Sequence, residues 1–255
     1  MIRVLFNKKG GVGKSSLAVN LAAISASQGY RTLLIDLDTQ CNSTAYLNVT
    51  DLPKDSDIAD LFEQTITFHL HRRPAADFCH ATQVENLDII AGSERLTELE
   101  SELDSRHKIY KLREALNSLK DTYQHIFIDT APALNFYSMS ALIAAQRCLI
   151  PIDCDDFARQ GLYSLQRKIS EIKEDHNENL EIEGIIANQY MTNANLPKQI
   201  VNELIAEGFP VLSEYIGQSV KMRESHQAKK PLILLAPKHK LTQSLIGIFK
   251  LLNKQ

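Results

Sequence analysis

The residues with the clearest chemical meaning form a glycine-rich run near the N-terminus. The run reads Asn7-Lys8-Lys9-Gly10-Gly11-Val12-Gly13-Lys14-Ser15-Ser16, and an apolar segment precedes it. Glycines permit a tight turn in which successive backbone N–H groups face inward and bind an anion. A helix that starts near Gly13 adds free amides and the positive end of its dipole. A strand, a glycine-rich turn and a helix opening with Lys-Ser together predict a phosphate-binding loop, or P-loop.

Three side chains of this loop have distinct predicted roles. Lys14 can reach the β and γ phosphates of a nucleotide, the Ser15 hydroxyl can bind Mg²⁺, and the Ser16 hydroxyl can bond the α phosphate. The strict pattern G-x-x-x-x-G-K-[ST] fails, because Lys8 stands where its first glycine would fall. The run instead reads K-G-G-x-G-K-S with an additional lysine, Lys9, which is the deviant Walker A motif. The alternative interpretation is a glycine-rich turn with a solvated lysine pair.

Acidic residues follow two later apolar segments. Asp36 and Asp38 come at the end of one, and Asp129 ends the segment His125-Ile126-Phe127-Ile128. An apolar strand that ends in Asp is the Walker B pattern, so we expect Asp129 to hold a water of the Mg²⁺ shell. A carboxylate after the earlier strand can orient the water that attacks the γ phosphate, since phosphoryl transfer depends mainly on positioning and charge. Helix capping is the alternative for Asp36 and Asp38.

The elements that must position these residues follow from the hydrophobic pattern. Strands are predicted at Ile2–Phe6, Thr32–Asp36, Leu87–Ala91, His125–Asp129, Arg147–Ile152 and Ile182–Asn188. Helices are predicted at 14–28, 58–66, 94–104, 107–121, 135–146, 158–176, 196–207 and 239–253. Apolar strands separated by helices indicate an α/β fold, with a doubly wound, mostly parallel sheet covered on both faces. We expect a single domain over 1–255, with segment 48–83 irregular or a small excursion.

Composition and charge narrow the class of protein. The chain has 255 residues, 44% of them hydrophobic and 23% charged, with a net charge of −3. These values are typical of a globular protein and argue against a uniformly basic nucleic-acid binder. The N-terminal apolar run is too short for a signal peptide or a membrane span. The four cysteines form no C-x-x-C pair, so we expect free thiols in a reducing cytosol and a cytoplasmic protein.

The net charge hides an uneven distribution. From Ser219 to Gln255, eight basic residues face a single acid, Glu224, so this segment carries +7 and the rest of the chain −10. A basic segment on an otherwise acidic chain suits contact with a phosphate backbone without reading of bases. A solvated basic surface is the alternative.

Together these motifs resemble the ParA/MinD family of deviant Walker A ATPases, closest to the ParA-type partitioning and positioning members. The run from Asp36 to Asn42 is similar to the family's D-x-D-P-Q-x-N, with Thr39 in place of proline. Asp129-Thr130-Ala131-Pro132 resembles the family's switch, which senses the γ phosphate. The resemblance spans nearly the whole chain and implies P-loop NTPase chemistry with ATP and Mg²⁺ as cofactors.

The resemblance also implies roles for particular residues. Asp38 positions the attacking water, and Lys14 and Lys9 act on the phosphates, Lys9 by reaching the nucleotide of the partner subunit. Ser15, Asp38 and Asp129 form the implied metal site. Asn188 ends a strand whose terminal Asn often meets adenine, and Gln218 stands where the family often has the Arg of a Pro-Arg pair. Basic residues implied to contact DNA are Lys221 and its neighbours Arg223, Lys229 and Lys230.

The implied function is an ATPase that dimerises with ATP, binds DNA non-specifically and associates with the nucleoid. A ParB-like or other cargo adaptor would stimulate hydrolysis, and the cargo would be a plasmid, a chromosome origin or a protein complex. The alternative is a MinD-like ATPase with a C-terminal amphipathic membrane helix, since Leu241, Leu245, Ile246, Phe249 and Leu252 recur at helical spacing. Such a stripe is more often core, so we expect no membrane contact.

Metabolic and kinase relatives are further alternatives. An iron protein would need a pair of cluster cysteines, and none lies between 80 and 147. An amidating enzyme would need a substrate pocket that no motif indicates. The bacterial tyrosine kinase branch usually carries a C-terminal tyrosine cluster, but no tyrosine follows Tyr215.

Overall fold

A parallel sheet organises the computed structural model, which describes residues 1–68, 71–155 and 158–254. Seven strands of the described residues form it in the order β3-β4-β2-β5-β1-β6-β7. They are β1 (Ile2–Leu5), β2 (Thr32–Leu37), β3 (His80–Ala81), β4 (Leu87–Ile90), β5 (His125–Thr130), β6 (Arg147–Asp153) and β7 (Glu181–Asn188). Neighbouring strands run parallel except β3 and β4, which are antiparallel. The six predicted strands are confirmed, and β3 is an edge strand too short for its pattern to show.

Helices connect the strands. The structure has α1 (Lys14–Ser27), α2 (Asn42–Tyr46), α3 (Ile58–Glu63), α4 (Leu96–Ser105), α5 (Lys111–Leu119), α6 (Phe136–Ala144), α7 (Ala158–Asp175), α8 (Asn195–Ala206), α9 (Val220–Gln227), α10 (Leu232–Leu235) and α11 (Lys240–Leu252). The eight predicted helices are all present. Segment 48–83 contains a 3₁₀ helix at Ala75–Phe78 and β3 in addition to the predicted α3. The sequence analysis missed α2, α9 and α10, which are short or lack an apolar stripe.

The core lies in two layers, one on each face of the sheet. On β2, Leu33 and Ile35 pack into one apolar cluster and Leu34 into the other. The first cluster also takes side chains of α3 to α8, and the second those of α1, α10 and α11. Alternate residues of a strand point to opposite faces, so a strand buried on both sides reads as one continuous apolar run. The predicted doubly wound α/β fold is therefore confirmed.

The apolar stripe of α11 belongs to this core. Leu241, Leu245, Phe249 and Leu252 are buried, and Ile246 is half-buried. The C-terminal end of the helix is tied to the sheet, because Arg3 on β1 donates to the Leu252 carbonyl oxygen at 3.0 Å. The expectation that this stripe packs inside the protein is confirmed. A helix long and apolar enough to cross a membrane does not occur in the described ranges.

Candidate nucleotide and magnesium site

The P-loop lies at the carboxyl end of the central strand. β1 pairs with β5 on one side and β6 on the other, and the loop leads from it directly into α1. In open α/β sheets this is the edge where ligands bind. Gly11 and Gly13 have φ values of 76° and 89°, and a Cβ on Gly13 would come within 2.3 Å of Asn188 Nδ2. Glycine is therefore required at position 13.

A cavity of about 520 Å³ opens above this loop and is called the phosphate cavity below. The residues that line it come from the P-loop, the segment after β2, α2, α9 and the turn after β5. They are Gly10, Gly11, Gly13, Lys14, Ser15, Ser16, Asp38, Gln40, Asn42, Ala45, Tyr46, Pro132, His226 and Lys229. The structure thus brings together four predicted binding groups: Lys14, Ser15, Ser16 and Asp38.

Lys14 is positioned to bind an anion. Its side chain is buried in the cavity wall, and its Nζ donates to the carbonyl oxygen of Lys9 at 3.3 Å. Burial lowers the pKa of Lys14, while Asp129 and Asp38 raise it. A bound phosphate would add negative charge beside this ammonium group and would stabilise its protonated form.

Asp129 has the properties of a metal-site carboxylate. Its Oδ2 accepts a hydrogen bond from Ser43 Oγ at 2.7 Å, but its buried Oδ1 has no hydrogen-bond partner among the residues that the structure describes. Burial raises the pKa of Asp129 to about 7, the charge of Asp36 adds to this, and the nearby hydroxyls of Ser15 and Ser43 oppose it. A cation or a metal-bound water would satisfy the free oxygen, so these residues fit a magnesium ion.

The rest of the metal shell must come from ligands other than protein carboxylates. No group of three or more His, Cys, Asp or Glu side chains arranged to hold a metal occurs in the described part of the chain. Mg²⁺ usually keeps several waters and binds through one or two carboxylates together with substrate phosphates. Ser15 and Asp129, with Asp38 nearby, would hold Mg²⁺ in that way, and the bound ion would neutralise the charge of the phosphates.

Asp36 and Asp38 differ in what they contact. Asp36 Oδ2 accepts from the backbone N and the hydroxyl of Thr44 at 2.9 and 2.8 Å, and its Oδ1 accepts from the Asp38 backbone N at 3.1 Å. Asp36 therefore supports the loop. Asp38 lines the phosphate cavity, and its Oδ1 accepts only a turn hydrogen bond from the Gln40 backbone N at 3.0 Å. This places Asp38 where it can orient a water.

Lys9 lies outside the phosphate cavity of its own chain. Its side chain is 41% exposed, its Nζ contacts Asp155 Oδ2, and Asp153 Oδ2 lies 3.8 Å away. It lines a separate groove together with Lys8 and Asp153. The backbone of Lys9 contributes to the P-loop, while its ammonium group points away from the place where the chain's own phosphates would bind.

A second cavity of about 610 Å³ adjoins the first and contains both predicted base contacts. Asn188, at the end of β7, lines it and donates from Nδ2 to the Val12 carbonyl oxygen at 2.8 Å. Gln218 and Arg223 lie on its other side. Asn188 thus supports the P-loop, and its remaining amide oxygen and Gln218 can bind the polar edge of a base.

Sequence reasoning missed four residues of the phosphate cavity. Ala45 and Tyr46 come from α2, and His226 and Lys229 come from α9 and the turn that follows it. Neither helix was predicted, and no motif marks these positions. Lys229, predicted as a DNA contact, also borders the phosphate cavity. Of the other predicted DNA contacts, Lys221 contacts Glu224, and Lys230 is exposed.

Comparison with known proteins agrees with this geometry. Residues 1–182 match the model of the AAA_31 family, described as an AAA domain. The chain is 33% identical over 253 residues to the chromosome partitioning protein ParA of Myxococcus xanthus, covering 98% of this chain and 86% of that protein. It is 31% identical over 252 residues to the sporulation initiation inhibitor protein Soj of Bacillus subtilis, covering 98% and 96%.

Solved structures share the fold at lower identity. Apo McdA of Cyanothece superposes with a TM-score of 0.86 at 20% identity, covering 98% of both chains. Cobyrinic acid a,c-diamide synthase of Mycobacterium smegmatis, with a bound ATP analogue and magnesium, superposes with a TM-score of 0.81 at 22% identity, covering 98% of this chain and 92% of that chain. The resemblance inferred from the motifs is confirmed: this chain belongs to the AAA_31 family and is a ParA-type ATPase.

Proposed function

We propose that this protein is a ParA-type positioning ATPase in which residues 1–255 act as one ATPase domain. ATP closes a homodimer, the dimer binds DNA non-specifically on the nucleoid, and a ParB-like or other adaptor stimulates hydrolysis. The cycle positions or segregates a cargo. The similarity to chromosome partitioning proteins over nearly the whole chain supports this class of function.

The observation that carries the dimer proposal is the position of Lys9. A lysine in a P-loop normally serves the phosphates that the same loop binds. Here Lys14 does so, while the ammonium group of Lys9 is half exposed and held by Asp155 beside the loop. A partner subunit that docks at this face would bring its own phosphates toward Lys9. The phosphates would then compete with Asp155 for the lysine, so dimer formation would depend on bound nucleotide.

The DNA proposal depends on charge. The segment that carries +7 includes α9, whose residues Lys221 and Arg223 lie outside the apolar core. Contacts of this kind neutralise phosphates without reading bases. The exposed pair of Lys221 and Glu224 costs little to open, so Lys221 can exchange its carboxylate partner for a DNA phosphate.

Hydrolysis would be slow in this arrangement until a partner completes the site. Asp38 lines the cavity wall, and its carboxylate accepts a hydrogen bond from the Gln40 backbone N within the same turn. This contact alone would not hold an attacking water rigidly. An adaptor that orders this wall would speed hydrolysis and release the dimer. The cargo that the adaptor brings is a plasmid, a chromosome origin or a protein assembly.

Dimerisation is tested by light scattering during size-exclusion chromatography with Mg-ATP or Mg-ADP. We expect wild type to form a dimer with ATP alone, and Lys9→Ala to stay monomeric with both nucleotides. Lys8→Ala is the matched control, because Lys8 is the preceding lysine and its Nζ donates to the Ser164 hydroxyl at 3.4 Å, away from Asp155. An ATP-dependent dimer of Lys9→Ala would reject the proposed role. Sedimentation with liposomes tests the MinD-like alternative, and binding to liposomes without binding to DNA would replace our proposal.

A further inference from the structure

His226 lies between the phosphate cavity and the second cavity and lines both of them. The phosphate cavity and the second cavity share four lining residues, Gly11, Gly13, Ser16 and His226. Three of these belong to the P-loop and the start of α1, and only His226 comes from the opposite wall. A nucleotide with its phosphates over the P-loop and its base in the second cavity must pass through this junction. The part of the nucleotide at the junction is the α phosphate and the ribose.

The ring of His226 already makes the kind of contact that a phosphate would make. Its Nε2 lies 3.0 Å from Ser16 Oγ, the hydroxyl expected to bond the α phosphate. Desolvation lowers the pKa of His226, which favours the neutral ring with a single N–H donor. Ser16 and His226 therefore satisfy each other's hydrogen-bonding groups across the path that a bound nucleotide would take.

A buried network holds His226 in this position. The ring packs edge-on against Tyr46, with centroids 4.5 Å apart at an interplanar angle of 83°. The Tyr46 hydroxyl bonds the hydroxyl of Ser225, the residue before His226, and accepts from Asn20 Nδ2 at 3.0 Å. Asn20 Oδ1 in turn accepts from the Leu232 backbone N at 2.8 Å. The network links α1, α2, α9 and α10, and its contacts orient the His226 ring toward the junction.

From this geometry we propose that His226 is a nucleotide-binding residue that donates a hydrogen bond to the α phosphate, in exchange for its contact with Ser16. The proposal rests on the proposed binding of nucleotide at the P-loop and does not require DNA binding or dimerisation. The α phosphate is common to ATP and ADP. The contribution of His226 should therefore be equal for both nucleotides.

Two substitutions separate hydrogen bonding from packing. His226→Phe keeps an aromatic ring against Tyr46 but removes the N–H donor, while His226→Gln removes the ring but keeps an N–H donor. Isothermal titration with Mg-ADP, which avoids hydrolysis, measures the dissociation constant of each variant. We expect His226→Phe to raise the dissociation constant about tenfold, as for loss of a hydrogen bond to a charged group. His226→Gln should raise it less. Gln227→Ala is the control, because Gln227 is exposed on the same helix and lines neither cavity.

Two further measurements make the outcome decisive. The two diastereomers of the α-phosphorothioate of ADP place sulfur, a weaker acceptor, at different α positions. Wild type should distinguish them, and His226→Phe should distinguish them less. Three results would each overturn the proposal. The first is that His226→Phe binds ADP as tightly as wild type, and the second is that His226→Gln binds it more weakly than His226→Phe. The third is that His226→Phe keeps the wild-type preference between the diastereomers. Thermal unfolding without nucleotide checks that the variants are folded, and Lys14→Ala, which should not bind ADP at all, reports failure of the P-loop assignment separately.

Discussion

Asp36 and Asp129 lie directly opposite each other on neighbouring strands, yet only one of them is free to bind a ligand. β2 and β5 pair in parallel with Asp36 in register with Asp129, and both carboxylates are fully buried. Asp36 accepts three hydrogen bonds, whereas one oxygen of Asp129 has none. The two acids at this edge of the sheet therefore divide into one that holds the loop and one with an oxygen that could bind a metal ion or a metal-bound water.

This division predicts how stability depends on pH without metal. Burial raises the pKa of Asp36 to about 6 and that of Asp129 to about 7, above the ordinary value of about 4. At a pH between the ordinary and the raised pKa values, the two carboxyls have lost their protons in the unfolded chain but keep them in the folded chain. The free energy of unfolding therefore falls as pH rises from about 4 to about 7. We expect urea unfolding in EDTA to show this fall in wild type.

The matching variant is Asp129→Asn, which removes the charge but keeps the shape. It should show a shallower fall of stability with pH, and added Mg-ADP should stabilise it less than wild type. Identical pH profiles for wild type and Asp129→Asn would contradict the raised pKa assigned to the Asp129 carboxyl.

Asp38→Ala should bind ATP and hydrolyse it at least tenfold more slowly than wild type. Asp38 lines the phosphate cavity but anchors little of the fold, so its loss removes the group that orients water and spares binding. Because hydrolysis releases the dimer in the proposed cycle, we expect the variant to accumulate as an ATP-bound dimer. Single-turnover hydrolysis and light scattering measure both effects. Wild-type turnover by this variant would show that another group positions the water.

Lys221→Glu should weaken DNA binding and leave ATP-dependent dimerisation intact. The substitution reverses one charge on α9, so the slope of log affinity against log salt should become shallower by about one to two units. Fluorescence anisotropy with a labelled duplex at several salt concentrations measures the slope.

The control for that charge reversal is Lys120→Glu, an exposed lysine that follows α5 on a different part of the surface. It changes the net charge by the same amount and should bind DNA nearly as wild type does. Equal losses in the two variants would indicate a general charge effect, and the DNA surface would then have to be sought away from α9.

Glu183→Gln should destabilise the fold by about 3 kcal/mol, as expected when one partner of a buried ion pair is removed. Glu183 accepts from Arg3 at 2.7 and 2.9 Å, and both side chains are almost completely buried. The control is Glu181→Gln on the same strand, because its pair with Arg147 is solvent-exposed and such pairs contribute about 1 kcal/mol or less. Chemical unfolding measures the free energy of unfolding of both variants. Equal losses of stability would show that burial does not strengthen the Arg3–Glu183 pair.

The fold and the phosphate-binding half of the site follow from the sequence for a physical reason. A strand buried on both faces is a continuous apolar run, and a loop that must wrap an anion needs glycines at particular positions, such as Gly13. These constraints act over a few neighbouring residues, so they leave a local pattern. The residues after β2 and β5 are informative for the same reason, since each acid ends an apolar run.

The opposite wall of the site leaves no such pattern. α9 is mostly polar, and Ser225 is the one buried residue within its described span Val220–Gln227, so it has no apolar stripe from which a helix could be predicted. His226 reaches Ser16 across 210 positions of the chain, a contact that only the packed fold creates. Lys9 shows the same limit: its motif marks it as special, but its pairing with Asp155 depends on how β1 and β6 meet.

The central claim, that ATP binding joins two chains through Lys9 into a form that binds DNA, is tested most directly by an electrophoretic mobility shift. Wild type and Lys9→Ala are compared at moderate salt with Mg-ATP, Mg-ADP and no nucleotide, with Lys8→Ala as the matched control. Wild type and Lys8→Ala should shift a duplex of arbitrary sequence with ATP alone, and Lys9→Ala should not shift it under any of these conditions. A shift by Lys9→Ala equal to that of wild type, or a wild-type shift independent of ATP, would contradict the account.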